Sequence, residues 1–199
     1  MRNKVFLSAL FFLFLSTFIQ DQALAGKPTE SVRRVTDILI GIVSDSELSK
    51  PDNRKKRDFE IRKAVDEIFD WREMSRRTLA RHWRKRSEAE RTEFIDLFGK
   101  LLERTYLDRV EGYSGEQVFY EAEAIEGDYS VVKVRIITKK QSEIPVFYRM
   151  KKKQDEWFVY DISVEGVSLI NNYRTQFNSI IKRSSYKELM KKLKEKVEQ

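Results

Sequence analysis

Between Gln117 and Val164 the chain leaves a helical period for a period of two, and directly afterwards it returns to the helical one. The segments "VFYEAEA", "SVVKVRIITK", "IPVFYRMKKK" and "WFVYDISV" alternate apolar and polar residues as half-buried strands do. Only short turns separate them, at Glu126-Gly127-Asp128, Lys140 to Glu143 and Gln154-Asp155-Glu156. A parallel crossover needs a dozen residues or more, so connections this short dictate an antiparallel meander. Val132, Val134 and Ile136 share one face of the second strand; Val146, Tyr148 and Met150 share one face of the third. Both sets alternate with Lys, Arg or other non-core positions, so one face of the sheet is buried and the other is wet.

The flanks are helical. "PTESVRRVTDILIGIVSD" carries Val32, Val35, Ile38, Leu39 and Ile42 at helical spacing, with Pro28 suited to the start. "NRKKRDFEIRKAVDEIF" places Ile61, Val65, Ile68 and Phe69 on one face, and "DWREMSRRTLARHW" follows with Asp70 as N-cap. Ser87 and Glu90 form a capping box for a helix running to about Val110. Its apolar residues, among them Phe94, Phe98, Leu101 and Tyr106, cover an arc of roughly 220°, wider than the stripe of a helix packed on one side. Such a helix contacts two surfaces, one of which need not be protein. After the strands, Glu165-Gly166 leads into a helix over Val167 to Ile181 with Val167, Ile170, Tyr173 and Phe177 on one face. A basic amphipathic helix over about 184–199 closes the chain. The expected fold class is α+β: a twisted four-stranded antiparallel meander packed with N-terminal and C-terminal helices, in a single domain over residues 26–199.

Residues 1–25 stand apart from that domain. Arg2 and Lys4 precede an almost continuously apolar run from Val5 to Ile19, and Ala23-Leu24-Ala25 is an A-x-A cleavage box. The apolar run spans about 15 residues, short of the roughly 20 a membrane-spanning helix needs. A Sec-type signal peptide cleaved after Ala25, and hence a periplasmic location, is the expectation; the alternative is an N-terminal anchor. The chain has no cysteine, which excludes a disulfide scaffold and thiolate metal sites. Its formal net charge of +7 becomes +6 when Arg2, Lys4 and Asp21 leave with the leader. Behind an export signal that balance points to anionic membrane surfaces or acidic proteins rather than to nucleic acid.

Catalytic signatures are scarce. No G-x-G-x-x-G or Walker-type loop is present. "GYSG" at Gly112 to Gly115 lacks the G-x-S-x-G spacing of a nucleophile elbow and reads as a turn. The one histidine, His82, stands among Arg81, Arg84 and Arg86 with no second metal ligand at a readable spacing. Asp161 lies in a strand among Trp157, Val159 and Ile162. It either bonds a backbone amide or an arginine, or serves as the base of a small-molecule enzyme on a cone-shaped sheet. The large supply of Phe, Tyr, Val and Ile converging from strands and helices fits a packed core or the lining of an apolar cavity; periodicity does not separate these two.

Several stretches, taken together in order, carry a resemblance. "FDWREMSRRTLARHW", "ERTEFIDLFGKLLERTYLDRVEGYSGEQVFY", "IPVFYRM" and "WFVYDISVEGVSLINNYRTQF" resemble the MlaC family of periplasmic phospholipid-binding proteins, also called toluene-tolerance or ABC-transporter auxiliary proteins. The resemblance covers roughly Pro28 to Ser184. It implies helices and a twisted antiparallel sheet around a deep apolar cavity, with lipid tails inside and the headgroup in solvent. It also implies a shuttle between the outer and inner membranes that supports outer-membrane lipid asymmetry. The implied partners are an outer-membrane lipoprotein complex and an inner-membrane ABC transporter with a ring of MCE domains. No covalent chemistry, cofactor or metal is implied, and a monomer is expected. Cavity candidates on this view are Phe94, Phe98, Leu101 and Tyr106 from the wide-arc helix. The sheet adds Val132, Val134, Ile136, Val146, Tyr148 and Met150, and the segment after the hinge adds Val167, Ile170 and Tyr173. The competing readings are the Asp161 enzyme and an interaction module whose cavity is only a core.

Overall fold

The computed structural model describes residues 27–198, so the leader and its cleavage box lie outside the described residues. Four helices come first: α1 (Lys27–Ser44), α2 (Arg54–Asp66), α3 (Trp71–Leu79) and α4 (Glu88–Glu111). The strands follow as β1 (Gln117–Glu126), β2 (Tyr129–Ile137), β3 (Glu143–Lys153), β4 (Glu156–Val164) and β5 (Val167–Ser168), and then α5 (Leu169–Arg183) and α6 (Tyr186–Glu198). Strand order is sequential and every pairing is antiparallel, which is the α+β meander that the short turns dictate.

The helix starts are built from side chains that satisfy free backbone amides. The amide of Glu90 donates to Ser87 Oγ at 3.2 Å and that of Ser87 to Glu90 Oε2 at 2.8 Å, closing the capping box of α4. Asp70 accepts from the Glu73 amide at 3.0 Å, and Ser168 from the Asn171 amide at 3.0 Å.

Two details depart from the sequence pattern. The first is a fifth strand, Val167-Ser168, which moves the start of α5 to Leu169 rather than Val167. Glu165 (φ 50°) and Gly166 (φ 82°) are both left-handed, which makes a two-residue hairpin and folds Val167-Ser168 back against Val164-Ser163. The second departure is a bulge. Arg149 pairs with Asp161 but Met150 pairs with Val159, leaving Tyr160 as the extra residue of β4. The bulge switches the parity of the strand. Trp157 and Val159 before it face the same side as Met150, whereas after it Ile162 and Val164 take that side and Asp161 and Ser163 turn to the other.

Two separate apolar cores result. One lies among α3, α4, α5 and α6, where Phe94, Phe98, Tyr173 and Phe177 stack edge to face around Leu189 and Leu193. The other lies between α1 and the sheet, from Val32 and Val35 to Val132, Val134, Met150, Trp157 and Val159. A buried carboxylate joins α3 to this framework. Glu73 accepts from Arg76 Nη2 at 2.6 Å and from Arg77 Nε at 2.8 Å, and the Arg77 guanidinium lies 3.9 Å from the centre of the Tyr160 ring.

The hydrogen bond from Arg76, aided by Arg77 and opposed by burial, pulls the Glu73 carboxyl down to about 2 from its ordinary 4.5. A depressed folded-state value contributes stability above the unfolded value and loses it as pH falls from about 4.5 through 2. Because Arg76 is half exposed, the contribution is on the order of 1–2 kcal/mol. Urea melts of the chain and of Glu73→Gln should therefore differ by that amount at neutral pH and converge as the pH approaches 2.

Candidate functional site

The seam between the two cores is not closed. A cavity of about 680 Å³ lies there, within the size range of small-molecule sites. Helix α1 lines it with Val32, Val35, Thr36 and Leu39, and α2 with Ile61, Arg62 and Val65. The α2–α3 link supplies Ile68 and Phe69, and α3 supplies Trp71. The C-terminal half of α4 contributes Leu102, Glu103, Tyr106, Leu107 and Val110, and the sheet Ile136, Ile144, Val146, Tyr148, Ile162 and Val164. Glu165, Val167, Leu169 and Asn172 close the far side.

The arc of α4 explains how the space stays open. Its first half is sheathed by protein, since Phe94, Leu97, Phe98 and Leu101 are all buried in the helical core. Its second half turns its apolar residues to the void instead. One helix thus has the two contacts its wide arc requires, but they are arranged in sequence along its axis.

Polar groups sit on the rim. Arg62 Nη1 donates to Glu103 Oε2 at 2.6 Å, Arg62 Nε donates to Asp66 Oδ1 at 2.8 Å, and the guanidinium lies 5.3 Å from the Trp71 ring centre. Arg57 adds a second tie from α2 to α4, its Nη2 donating to Glu111 Oε1 at 2.5 Å. On the far side Val167 lines the cavity yet is 63% exposed, so an opening to solvent passes beside it. Deeper in, Tyr148 is enclosed by protein around the void, and burial, reinforced by Tyr120, pushes its hydroxyl up to about 12. The phenol is neutral at physiological pH, so the interior carries no charge at this position.

Of the thirteen candidates drawn from the sequence, Tyr106, Ile136, Val146, Tyr148 and Val167 line this cavity. The other eight do not. Phe94, Phe98, Leu101, Ile170 and Tyr173 belong to the helical core, because α5 and α6 cover the N-terminal half of α4. Val132, Val134 and Met150 point to the same side of the sheet as Ile136, Val146 and Tyr148, but they are fully buried in the core that the sheet forms with α1. The lining residues of α1 and α2 have no distinguishing signal in the sequence, where they read as ordinary helix stripes. Ile162 and Val164 are hidden by the bulge parity, whereas Ile144 shares a face with Val146 and was there to be found.

Asp161 is not a lining residue. Its carboxylate accepts from Ser168 Oγ at 2.7 Å, from the Ile170 amide at 3.1 Å and from Arg149 Nη1 at 3.3 Å. It bonds both a backbone amide and an arginine, and it pins the start of α5 to the sheet. Asp161→Ala leaves the buried Ile170 amide without its acceptor and should cost about 2–3 kcal/mol. Asp161→Asn, which keeps an acceptor, should cost less. Equilibrium urea unfolding checks both.

Two other residues that the sequence singles out are likewise occupied. His82 Nε2 lies 3.1 Å from Asn178 Oδ1, and Ser114 Oγ donates to Glu116 Oε1 at 2.9 Å. Among the described residues no group of three or more His, Asp or Glu is placed to hold a metal, and no helix is long and apolar enough to cross a membrane.

The family model described as MlaC protein matches residues 33–195. The chain belongs to the MlaC family. A solved structure, a phospholipid-binding protein from Ralstonia solanacearum in complex with a phospholipid, superimposes with a TM-score of 0.76 over 86% of this chain and 97% of that one. At 22% identity that likeness establishes the fold. A relative from Haemophilus influenzae, the intermembrane phospholipid transport system binding protein MlaC, is 25% identical over 128 residues. The match spans 62% of this chain and 60% of that relative's length.

Proposed function

We propose that this MlaC-family chain is a periplasmic phospholipid carrier that holds lipid tails in the cavity at the seam of its two cores. The observation that carries the reading is the cavity itself: about 680 Å³, walled by aliphatic and aromatic side chains, with charged groups confined to the rim. The Ralstonia solanacearum protein of the same fold, in complex with a phospholipid, and the transport-system relative from Haemophilus influenzae support it.

The physical purpose is plain. Each buried methylene is worth about 0.8 kcal/mol, so one chain of about sixteen carbons represents roughly 13 kcal/mol of burial. A lipid cannot leave a bilayer for water at a useful rate against that sum, and an apolar cavity supplies the environment that water lacks. Delivery requires a partner that binds the open or emptied form better, since an equilibrium moves only by differential affinity. The proposed partners are an outer-membrane lipoprotein complex on one side and an inner-membrane MCE-domain ABC transporter on the other, and the exchange serves outer-membrane lipid asymmetry. The leader at residues 1–25 would deliver the chain to the periplasm. The enzyme reading with Asp161 as base is disfavoured, because that carboxylate is saturated by three donors and does not line the cavity.

Lipid extraction from the purified mature chain followed by mass spectrometry tests the proposal. Stoichiometric diacyl phospholipid is the expected result. A reproducibly empty protein that cannot be loaded from vesicles would overturn it.

A further inference from the structure

Helix α2 forms part of the cavity wall with Ile61, Arg62 and Val65, and it turns a different pattern outward. Lys55, Lys56, Phe59 and Lys63 recur at the spacing of one helical face, and all four are exposed. Phe59 is 65% exposed, the highest value among the exposed large apolar residues described. The charges around it divide sharply. Arg54, Arg57 and Arg62 of the same helix pair with Asp58, Glu111, and Asp66 and Glu103 respectively. Lys55, Lys56 and Lys63 pair with no carboxylate among the described residues. The acidic groups at the end of the helix are taken up elsewhere: Asp66 by Arg62 and the Trp71 indole N–H, Glu67 by Arg34 at 2.5 Å. Glu60 is partly buried and lies about 100° round the helix from Phe59.

We infer that this stripe docks on the surface of an anionic phospholipid bilayer, with Phe59 among the headgroups and the three lysines at the phosphate level. A protruding aromatic ring ringed by unpaired lysines matches a negatively charged, deformable headgroup layer. It matches a protein partner poorly, because lysine is depleted in protein interfaces and a single ring on a convex helix offers no apolar patch to pack against. Since the opposite face of α2 lines the cavity, docking here brings the Arg62–Glu103 rim close to the bilayer. The purpose of the contact rests on the carrier reading, whereas the contact itself does not.

The absence of cysteine makes the test direct. Phe59→Cys in the mature chain carries an environment-sensitive dye, and Gln176→Cys on the exposed face of α5 carries the same dye as control. Vesicles of phosphatidylglycerol mixed with phosphatidylcholine should shift the emission at position 59 to the blue and leave position 176 unchanged, and pure phosphatidylcholine vesicles should do neither. In sedimentation with the unlabelled protein, Lys55→Glu with Lys56→Glu and Lys63→Glu should weaken vesicle binding by at least about tenfold. Phe59→Ser should weaken it as well, and added salt should reduce binding of the parent chain. Aqueous emission at position 59 in the presence of anionic vesicles overturns the inference. So does unchanged vesicle affinity in the lysine variant, or binding to polyglutamate but not to vesicles. The lysine variant should still carry bound phospholipid, and a chain that proves to hold no lipid should still bind the vesicles, so the two proposals fail separately.

Discussion

Replacing Ile162 and Val164 by tryptophan should empty the cavity and leave the fold standing. Both residues face the void from β4, opposite Tyr148 and Val146 of β3. Two indoles there would occupy space now open rather than displace packed neighbours, so the overpacking penalty of about 1–3 kcal/mol seen in full cores does not apply in full. On the carrier reading the effect on lipid is much larger. Excluding even four methylenes removes about 3 kcal/mol of burial, which is more than a hundredfold in affinity. The measurement is phospholipid per protein by mass spectrometry, with the thermal midpoint recorded on the same preparation. A variant that melts near the parent temperature and still carries a full complement of phospholipid would show that the tails lie elsewhere.

Phe98→Ala should do the reverse. Phe98 is 0% exposed and sits with Phe94, Tyr173 and Phe177 at ring-centre distances of 5.4–5.8 Å. Removing a ring from such a site costs about 3–5 kcal/mol through lost burial and the cavity left behind. For a domain of this length that is a fall of roughly 10 °C or more in the thermal midpoint. Phe98 does not line the cavity proposed to hold lipid, so on the carrier reading the folded fraction of the variant should retain lipid. Loss of lipid from a still-folded variant would place this ring in the binding site after all. The pair of experiments separates the helical core from the cavity at its seam, which no inspection of apolar periodicity can do.

The elements were legible because they are local. The capping box at Ser87 and Glu90, the N-cap at Asp70 and the turn residues between strands act over three or four positions, and the structure uses each as the pattern implies. Even the side of the sheet on which Val132, Val134, Ile136, Val146, Tyr148 and Met150 lie follows from alternation alone. The cavity was less legible for a specific reason. Ile136 and Val132 are equivalent to any rule of period two, yet one faces a void and the other a helix. What distinguishes them is which one other parts of the chain pack against, a long-range fact written in no local pattern. The Tyr160 bulge adds a parity error of the same origin, since it shows only in the pairing with β3.

The amino-acid sequence by itself determined the fold class, the antiparallel connectivity and the helix starts, because each depends on spacing between near neighbours, and its longer stretches carried the family resemblance. The tertiary structure alone decided that the apolar residues form two cores instead of one, that the second half of α4 faces empty space, and that Asp161 is an anchor for α5. The reason is that burial is a property of what packs on a residue from elsewhere in the chain. An apolar side chain is the same whether a helix covers it or a lipid does.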